Sequence, residues 1–507
     1  MEIRHSVLFL TLTAPFLQGQ SLTLPWNGYG HDAQHTASSA TAAQPLNAIH
    51  WSTPVDLNPP GGTGGAGDLL IHYGSPMITA ANTVLVPVKT GELDGFQIQA
   101  FSGASGASLY TLATDYSLPP HDWTLAFGPT LSVRNRLYYP GAGGTVYYRD
   151  QVDSASGATG QIAFYGNAVY GGNQAALNAA IQISTPLVTD RYGDIYFGFV
   201  ATPGNAAGVT SGIARISFTG AGSWMSAQAL AGGDPNITQV STNCAPALSV
   251  DQRTVYVAVS NGAQWGYGYL TSMSATTLKP IANVLLNDPT GGIATVSSDS
   301  SASPTVGPDG DVYYGVLESN CCTAHNDRGW MLHFDATLSQ TKIPGSFGWD
   351  ATAAIVPARA VPSYQGTSTY LILTKYNNYA GLGTGDGVNK VAILDPKASF
   401  ADPYSSPQAQ VMQEVITVAG VTPVPGIGFP NAVTEWCINS AAVDPYTKSA
   451  IINNEDGVVY RWDFTSNTLS QRVVLTAGRG EAYSPTAIGA DGTAYAINDA
   501  ILFAVGR

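Results

Sequence analysis

The sequence predicts an all-β protein: a single β-propeller of about eight four-stranded blades, its ring closed by an N-terminal strand that completes the last blade. Three observations lead there. A phrase recurs, its spacing is regular, and helical patterning is scarce. The clearest copy is Ser303-Pro-Thr-Val-Gly-Pro-Asp-Gly-Asp-Val-Tyr-Tyr-Gly315. It reads as a short strand, a turn at Asp309-Gly310 that supplies the positive-φ positions of a two-residue hairpin, and a returning strand rich in Val and Tyr. Ser484-Pro-Thr-Ala-Ile-Gly-Ala-Asp-Gly-Thr-Ala-Tyr-Ala496 repeats it, and Ser184 to Gly198 is a looser copy.

The anchoring prolines Pro76, Pro129, Pro186, Pro246 and Pro304 are spaced by 53, 57, 60 and 58 residues. The gap to Pro485 holds further degenerate units at Asp350 and Asn439. A period near ~60 suits a propeller blade better than a solenoid coil or a separate sandwich domain. The blades are expected at about 70–118, 125–175, 183–235, 242–290, 300–345, 348–415, 432–477 and 482–507. The last has room for about three strands, so 47–56, around Ile49-His-Trp51, is the expected closing strand. Closure removes the free sheet edges. Asn173 to Ile183 reads as a short helix. The insertion Ser399 to Phe429 is the longest departure from the period, and its Pro-rich part, with Pro423, Pro425 and Pro430, reads as a loop.

The N-terminus has the form of an export signal over residues 1–21. Arg4 and His5 precede an apolar core from Val7 to Leu17, followed by small residues at Gly19-Gln-Ser21. The apolar core is too short for a bilayer span, and no other stretch is long enough. A secreted or periplasmic monomer is expected, with 22–46 as an N-terminal loop segment and 47–507 as the propeller. The net charge of −14 argues against a nucleic-acid partner.

With only 11% charged residues, the polar clusters in two sets of loops are the main functional signal. Between blades stand His121-Asp-Trp123, Asn243-Cys244, Asp299, Trp349-Asp350, Glu435-Trp-Cys-Ile-Asn439 and Glu481-Ala-Tyr483. Within blades stand Trp265-Gly-Tyr267, His325-Asn326-Asp327-Arg328, Lys375-Tyr376-Asn377-Asn378-Tyr379 and Asn453-Asn-Glu-Asp456. Carboxylates and amides are hard oxygen ligands suited to calcium, which makes Glu435 and Asn439 metal candidates. Trp349, Trp436, Tyr376 and Tyr379 offer faces for a flat ring or a sugar. Asp350 and Glu435 are the candidate catalytic carboxylates, for a base beside a metal or for a sugar-cleaving pair. The same residue types are also ordinary turn formers. Four cysteines in a secreted chain suggest disulfides. Either Cys321 bridges Cys322, or the two pair with Cys244 and Cys437; an ordinary staple avoids the strain of the vicinal ring.

Trp26-Asn-Gly-Tyr-Gly-His-Asp-Ala-Gln-His-Thr-Ala-Ser-Ser39 resembles the opening of pyrroloquinoline-quinone (PQQ) type repeat propellers. The Ser-Pro-Thr-Val-Gly-Pro-Asp-Gly phrase resembles their blade repeat, and Ala500 to Val505 their closing strand. That resemblance covers most of 26–507. It implies the propeller fold, and for function either a scaffold or an oxidoreductase with PQQ and calcium. In the oxidoreductase, Glu435, Asn439 and Asp350 would serve as metal or base residues, Arg328 and Lys375 would face the quinone oxygens, and Cys321-Cys322 would lie on the ring. The dehydrogenases' docking Trp is missing from the matching places, Ser102 to Ala107 and Phe334 to Ser339. No Cys-x-x-Cys-His is present for a c-type haem. The first expectation is an exported binding module for a small molecule, carbohydrate or protein. The alternatives are the PQQ and calcium oxidoreductase and a carbohydrate-active enzyme.

Overall fold

A computed structural model of the chain describes residues 25–59, 74–121, 127–298, 300–320, 323–478, 480 and 482–507. The expected export signal lies outside them. Eight antiparallel sheets follow one another along the chain. Each begins with an inner strand, most of them two residues long, such as Met77–Ile78 in blade 1, Thr305–Val306 in blade 5 and Ala487–Ile488 in blade 8. Six of these strands start just after the recurring proline. Proline has no N–H to continue a ladder, so the residue ends the pairing at the loop side.

The second strand of each blade is apolar and β-branched or aromatic, and it is buried along most of its length, as in Thr83–Lys89, Val312–Val316 and Tyr370–Tyr376. It is covered by neighbouring blades on both faces, which is why it reads as a continuous run rather than an alternation. Outer strands such as Ser108–Ala113 alternate towards solvent. Blade 5 shows three strands among the described residues, with a single bridge from Met331 to Gly345 where a fourth would run.

The closing strand is Ala48–Pro54, antiparallel to Ile501–Gly506 in blade 8. Trp51 then reaches across the seam to blade 1. Its indole N–H donates to the carbonyl of Gly103 at 2.9 Å, and at Gly106 a side chain would meet its ring at 2.5 Å.

Three expectations change in detail. The helix runs over Asn167–Ala180 and so begins earlier than the sequence suggested. The insertion from Ser399 opens as strand. Lys390–Ala401 and Gln410–Ala419 form a long hairpin, because Val411 to Val418 carries enough β-branched residues to extend the ladder. Its proline-rich end remains irregular, with one bridge from Pro423 to Val433. In the repeat turn only Gly310 has positive φ, and the turn closes from Gly307 to Asp311 rather than over two residues.

The segment 26–46 is more than a loop. It winds once around the inside of the ring, hydrogen-bonding the innermost strands in their order. Trp26 pairs with Ile78 of blade 1, Asn27 with Leu131 of blade 2, Ala33 with Leu248 of blade 4 and Gln34 with Val306 of blade 5. Thr36 then meets Ile355 of blade 6, Ala37 and Ser39 meet Val443 of blade 7, and Gln44 meets Gly492 of blade 8. Left-handed backbone at Gly30, His31, His35 and Ala37 makes the tight path. Asp32 holds it together by accepting from the N–H groups of Gln34 and Thr36, both at 3.0 Å. Burial pushes the His35 imidazole down to about 4, so the ring is neutral where its Nδ1 meets the Pro304 carbonyl at 2.7 Å.

Candidate functional site

The expected site residues come from the loops between blades and within them. Many of those residues are used to tie the loops together. Asp350, in left-handed backbone at φ 51°, accepts from the Ser301 N–H at 2.5 Å and from the hydroxyls of Ser301 and Ser300 at 2.7 and 3.3 Å. Asn439 accepts from the Tyr29 hydroxyl at 2.8 Å and donates to the Ser301 carbonyl and hydroxyl and to Thr352 at 2.9 to 3.1 Å. Its amide oxygen, expected on a metal, is therefore turned to the N-terminal segment.

Asn377 grips the backbone of Trp436, accepting from its N–H at 3.1 Å and donating to its carbonyl at 3.2 Å. Trp436 itself is a core residue, 0% exposed and edge-on to Tyr460 at 5.8 Å, so its ring offers no face to a ligand. Asn378 accepts from Asn326 at 2.9 Å and donates to Asp386 at 2.8 Å, while Asn326 receives the Thr384 N–H. These amides latch neighbouring loops, as loop asparagines commonly do.

Arg328 is buried within a cage of rings. Its guanidinium lies 4.4 Å from the Tyr376 centroid, 4.5 Å from Tyr404 and 5.5 Å from Phe347, and it donates to the carbonyls of Ser346 and Asn377. Tyr376 is thus occupied by a cation–π contact. His325 stacks on Trp330 at 3.7 Å and pairs with Asp402 at 3.0 Å. Neither Arg328 nor His325 is placed at an open surface.

Two features are not explained by loop latching alone. The first is a group of carboxylates missed as a group by the sequence. Glu318, in the loop after Val312–Val316, accepts from the N–H groups of Asp327 and Gly329 at 3.0 and 2.9 Å. Asp327 is partly buried, and burial together with the charges of Glu318 and Glu435 pushes its carboxyl up to about 6. Tyr379 stands beside Glu435, Asp327 and Cys437, and burial with those negative groups raises its hydroxyl well above the usual range. The second is Lys375. It is 3% exposed, yet its ammonium has no hydrogen bond or ion pair among the described residues; its one contact is the Tyr483 ring at 5.7 Å. Trp349 adds a partly buried ring, tilted against the exposed Trp265 at 5.9 Å.

Cys244 forms no staple. It is a buried thiol beside Tyr314, and burial pushes it up to about 12. Cys437 is buried as well. Cys321 and Cys322, like Asp122, Trp123, Asp299 and Glu481, lie outside the described residues. Among the described residues no group of three or more His, Cys, Asp or Glu side chains is gathered for a metal ion, and no helix is long and apolar enough to cross a membrane.

No family model and no curated protein sequence matches the chain. Solved structures do. A europium-containing methanol dehydrogenase is similar over 95% of this chain and 90% of its own, with a TM-score of 0.55 at 10% identity. The quinohemoprotein alcohol dehydrogenase of Comamonas testosteroni is similar over 97% and 82%, with a TM-score of 0.57 at 11% identity. The quinohemoprotein alcohol dehydrogenase ADHIIG of Pseudomonas putida HK5 covers 96% and 77%, with a TM-score of 0.50 at 12% identity. The chain thus has the eight-bladed fold of the PQQ-type, quinoprotein alcohol dehydrogenase-like propellers. At these identities the likeness is one of fold.

Proposed function

We propose that the chain is an exported binding module whose axial funnel takes a small anionic ligand on Lys375. The observation that carries this reading is Lys375: the residue is 3% exposed, yet its ammonium has no hydrogen bond or ion pair among the described residues. A carboxylate or similar anion seated against Lys375 and Tyr483 would supply the charge-assisted partner that this ammonium lacks among the described residues. Asp327, titrating near neutrality, makes the binding depend on pH. Trp349 and Trp265, from the same two sets of loops, offer ring faces.

A second reading, the PQQ- and calcium-dependent oxidoreductase, is supported by the likeness of fold to the quinoprotein dehydrogenases. The residues expected to hold its cofactors do not fit. The Asn439 amide is hydrogen-bonded at both ends, Asp350 Oδ1 is filled by serine donors, and Arg328 is caged by aromatic rings. No catalytic step is therefore derived through that cofactor.

The test is thermal shift with simple di- and tricarboxylates and with PQQ, itself a tricarboxylate, each with and without Ca²⁺. A ligand that binds only the native state raises its melting temperature. Stabilisation by carboxylates, independent of Ca²⁺ and lost in Lys375→Met, is the expected result. Strictly Ca²⁺-dependent stabilisation by PQQ, with dye reduction on alcohols, moves the assignment to the oxidoreductase. No shift with any anion overturns the funnel reading.

A further inference from the structure

A second site lies away from the funnel, between the outer parts of blades 2 and 3. There a groove of about 620 Å³ opens between the end of the strand Thr159–Ala163 and the strand Gly222–Ser226. Its volume falls within the range of small-molecule sites. The walls touch at one point, where a side chain on Gly222 would meet the Phe164 carbonyl at 1.9 Å, so only glycine fits there. Beyond that contact the groove stays open, and a side chain at Gly166 would meet nothing within 4 Å.

Its chemistry is specific. Trp224 and Tyr165 are half-buried aromatic residues that line it. Both are held in place, Trp224 edge-on to Phe199 at 6.3 Å and Tyr165 by donating its hydroxyl to the Gly143 carbonyl at 2.6 Å. The Ser223 hydroxyl is buried in the wall without a hydrogen-bond partner, an unfavourable state until something pairs with it. Asn167, at the start of the helix, adds a carboxamide whose Nδ2 makes only a long contact, 3.5 Å to the Gln161 carbonyl. Among the described residues, no Asp, Glu, Lys, Arg or His lines the groove.

We propose that this groove binds a short neutral oligosaccharide. Pyranose rings present apolar C–H faces that pack on Trp and Tyr, and hydroxyls that match an unpaired serine and an amide. An uncharged lining gives nothing to attract an anion or a cation and nothing to penalise a neutral sugar. The site is independent of the funnel and of Lys375.

The experiment is calorimetric titration of the full chain with neutral cello-, malto- and chito-oligosaccharides, alongside charged oligogalacturonate. One neutral series should bind, and oligogalacturonate should bind more weakly. Trp224→Ala should weaken that binding at least about tenfold and Ser223→Ala by a smaller factor. Ala221→Trp, at an exposed lining position, blocks the groove without touching the core, so it decides the matter if Trp224→Ala fails to fold. Lys375→Met should leave sugar binding unchanged, which separates this site from the funnel. Absence of binding by every neutral series at millimolar concentration overturns the proposal. So does binding that survives Ala221→Trp.

Discussion

The hydroxyl of Tyr29 donates to the side-chain oxygen of Asn439, 2.8 Å away in space and 410 positions away in sequence. The same hydroxyl lies 2.6 Å from the Ser301 carbonyl and 2.8 Å from Thr352. One side chain of the N-terminal segment thus joins the loops that precede blades 5, 6 and 7.

Tyr29→Phe keeps the ring and removes those bonds, leaving the buried Asn439 oxygen without its donor. A loss of about 1–3 kcal/mol is expected, read as a lower urea midpoint with an unchanged slope. An unchanged midpoint would show that the contact adds nothing to stability.

Asp327 makes a prediction about pH. Its folded carboxyl titrates at about 6, above the usual Asp value, because of burial and the neighbouring Glu318 and Glu435. The native state therefore holds this proton more tightly than the unfolded chain. The group costs nothing below the unfolded value, and its penalty grows as pH rises from about 4 to about 6. Asp327→Asn should stabilise the protein by about 1 kcal/mol at pH 7.5, after allowance for partial exposure. At pH 4 the two proteins should melt together, and a difference that persists there would assign the effect to something other than this proton.

The pair of His325 and Asp402 has the opposite sign. Burial alone would raise the Asp402 carboxyl, but the hydrogen bond and charge of His325 hold it below the usual range. Its contribution is present above the unfolded Asp value and is lost as pH falls through the lowered folded value. Asp402→Asn removes the carboxylate from His325, whose ring keeps the Gly329 carbonyl and Ser346, at a cost of roughly 1–3 kcal/mol near neutral pH. Acid titration of melting temperature should show the gap between variant and parent closing below about pH 4.

At the seam between blades 8 and 1, Trp51→Ala removes both the Gly103 hydrogen bond and the packing over Gly106. For a half-buried Trp, about 2 kcal/mol is expected. Hydrogen exchange should quicken first in Ala48–Pro54 and Ile501–Gly506; uniform quickening across all blades would refute a local seam.

The propeller was legible because its signals are local. A proline before six of the inner strands recurs at blade spacing, with a turn glycine at Gly193, Gly310 and Gly492, and the short last unit pointed to Ile49-His-Trp51 as the missing strand. The roles of the funnel residues were not legible in the same way. Asn377, Asn378 and Asn439 have the residue types of a ligand site. Whether an amide faces a ligand or the Trp436 backbone depends on loops from blades dozens of residues apart, and no spacing encodes that. Lys375 was named as a candidate from its loop, whereas its lack of a partner among the described residues is a property of the assembled ring. The winding of 26–46 escaped notice for the opposite reason: its bonds use backbone groups, which leave no mark in side-chain pattern.

Because 26–54 contacts inner strands of blades on every side and then pairs with the last strand, the first stretch of the propeller to be synthesised is among the last that can settle. None of its partners in blades 7 and 8 exists until Val443, Gly492 and Gly506 have been made. Native contacts of such sequence separation carry a large loop-closure cost, so folding is expected to be slow and to end with this docking. Until then the chain stays an open arc whose axis this segment has not yet filled.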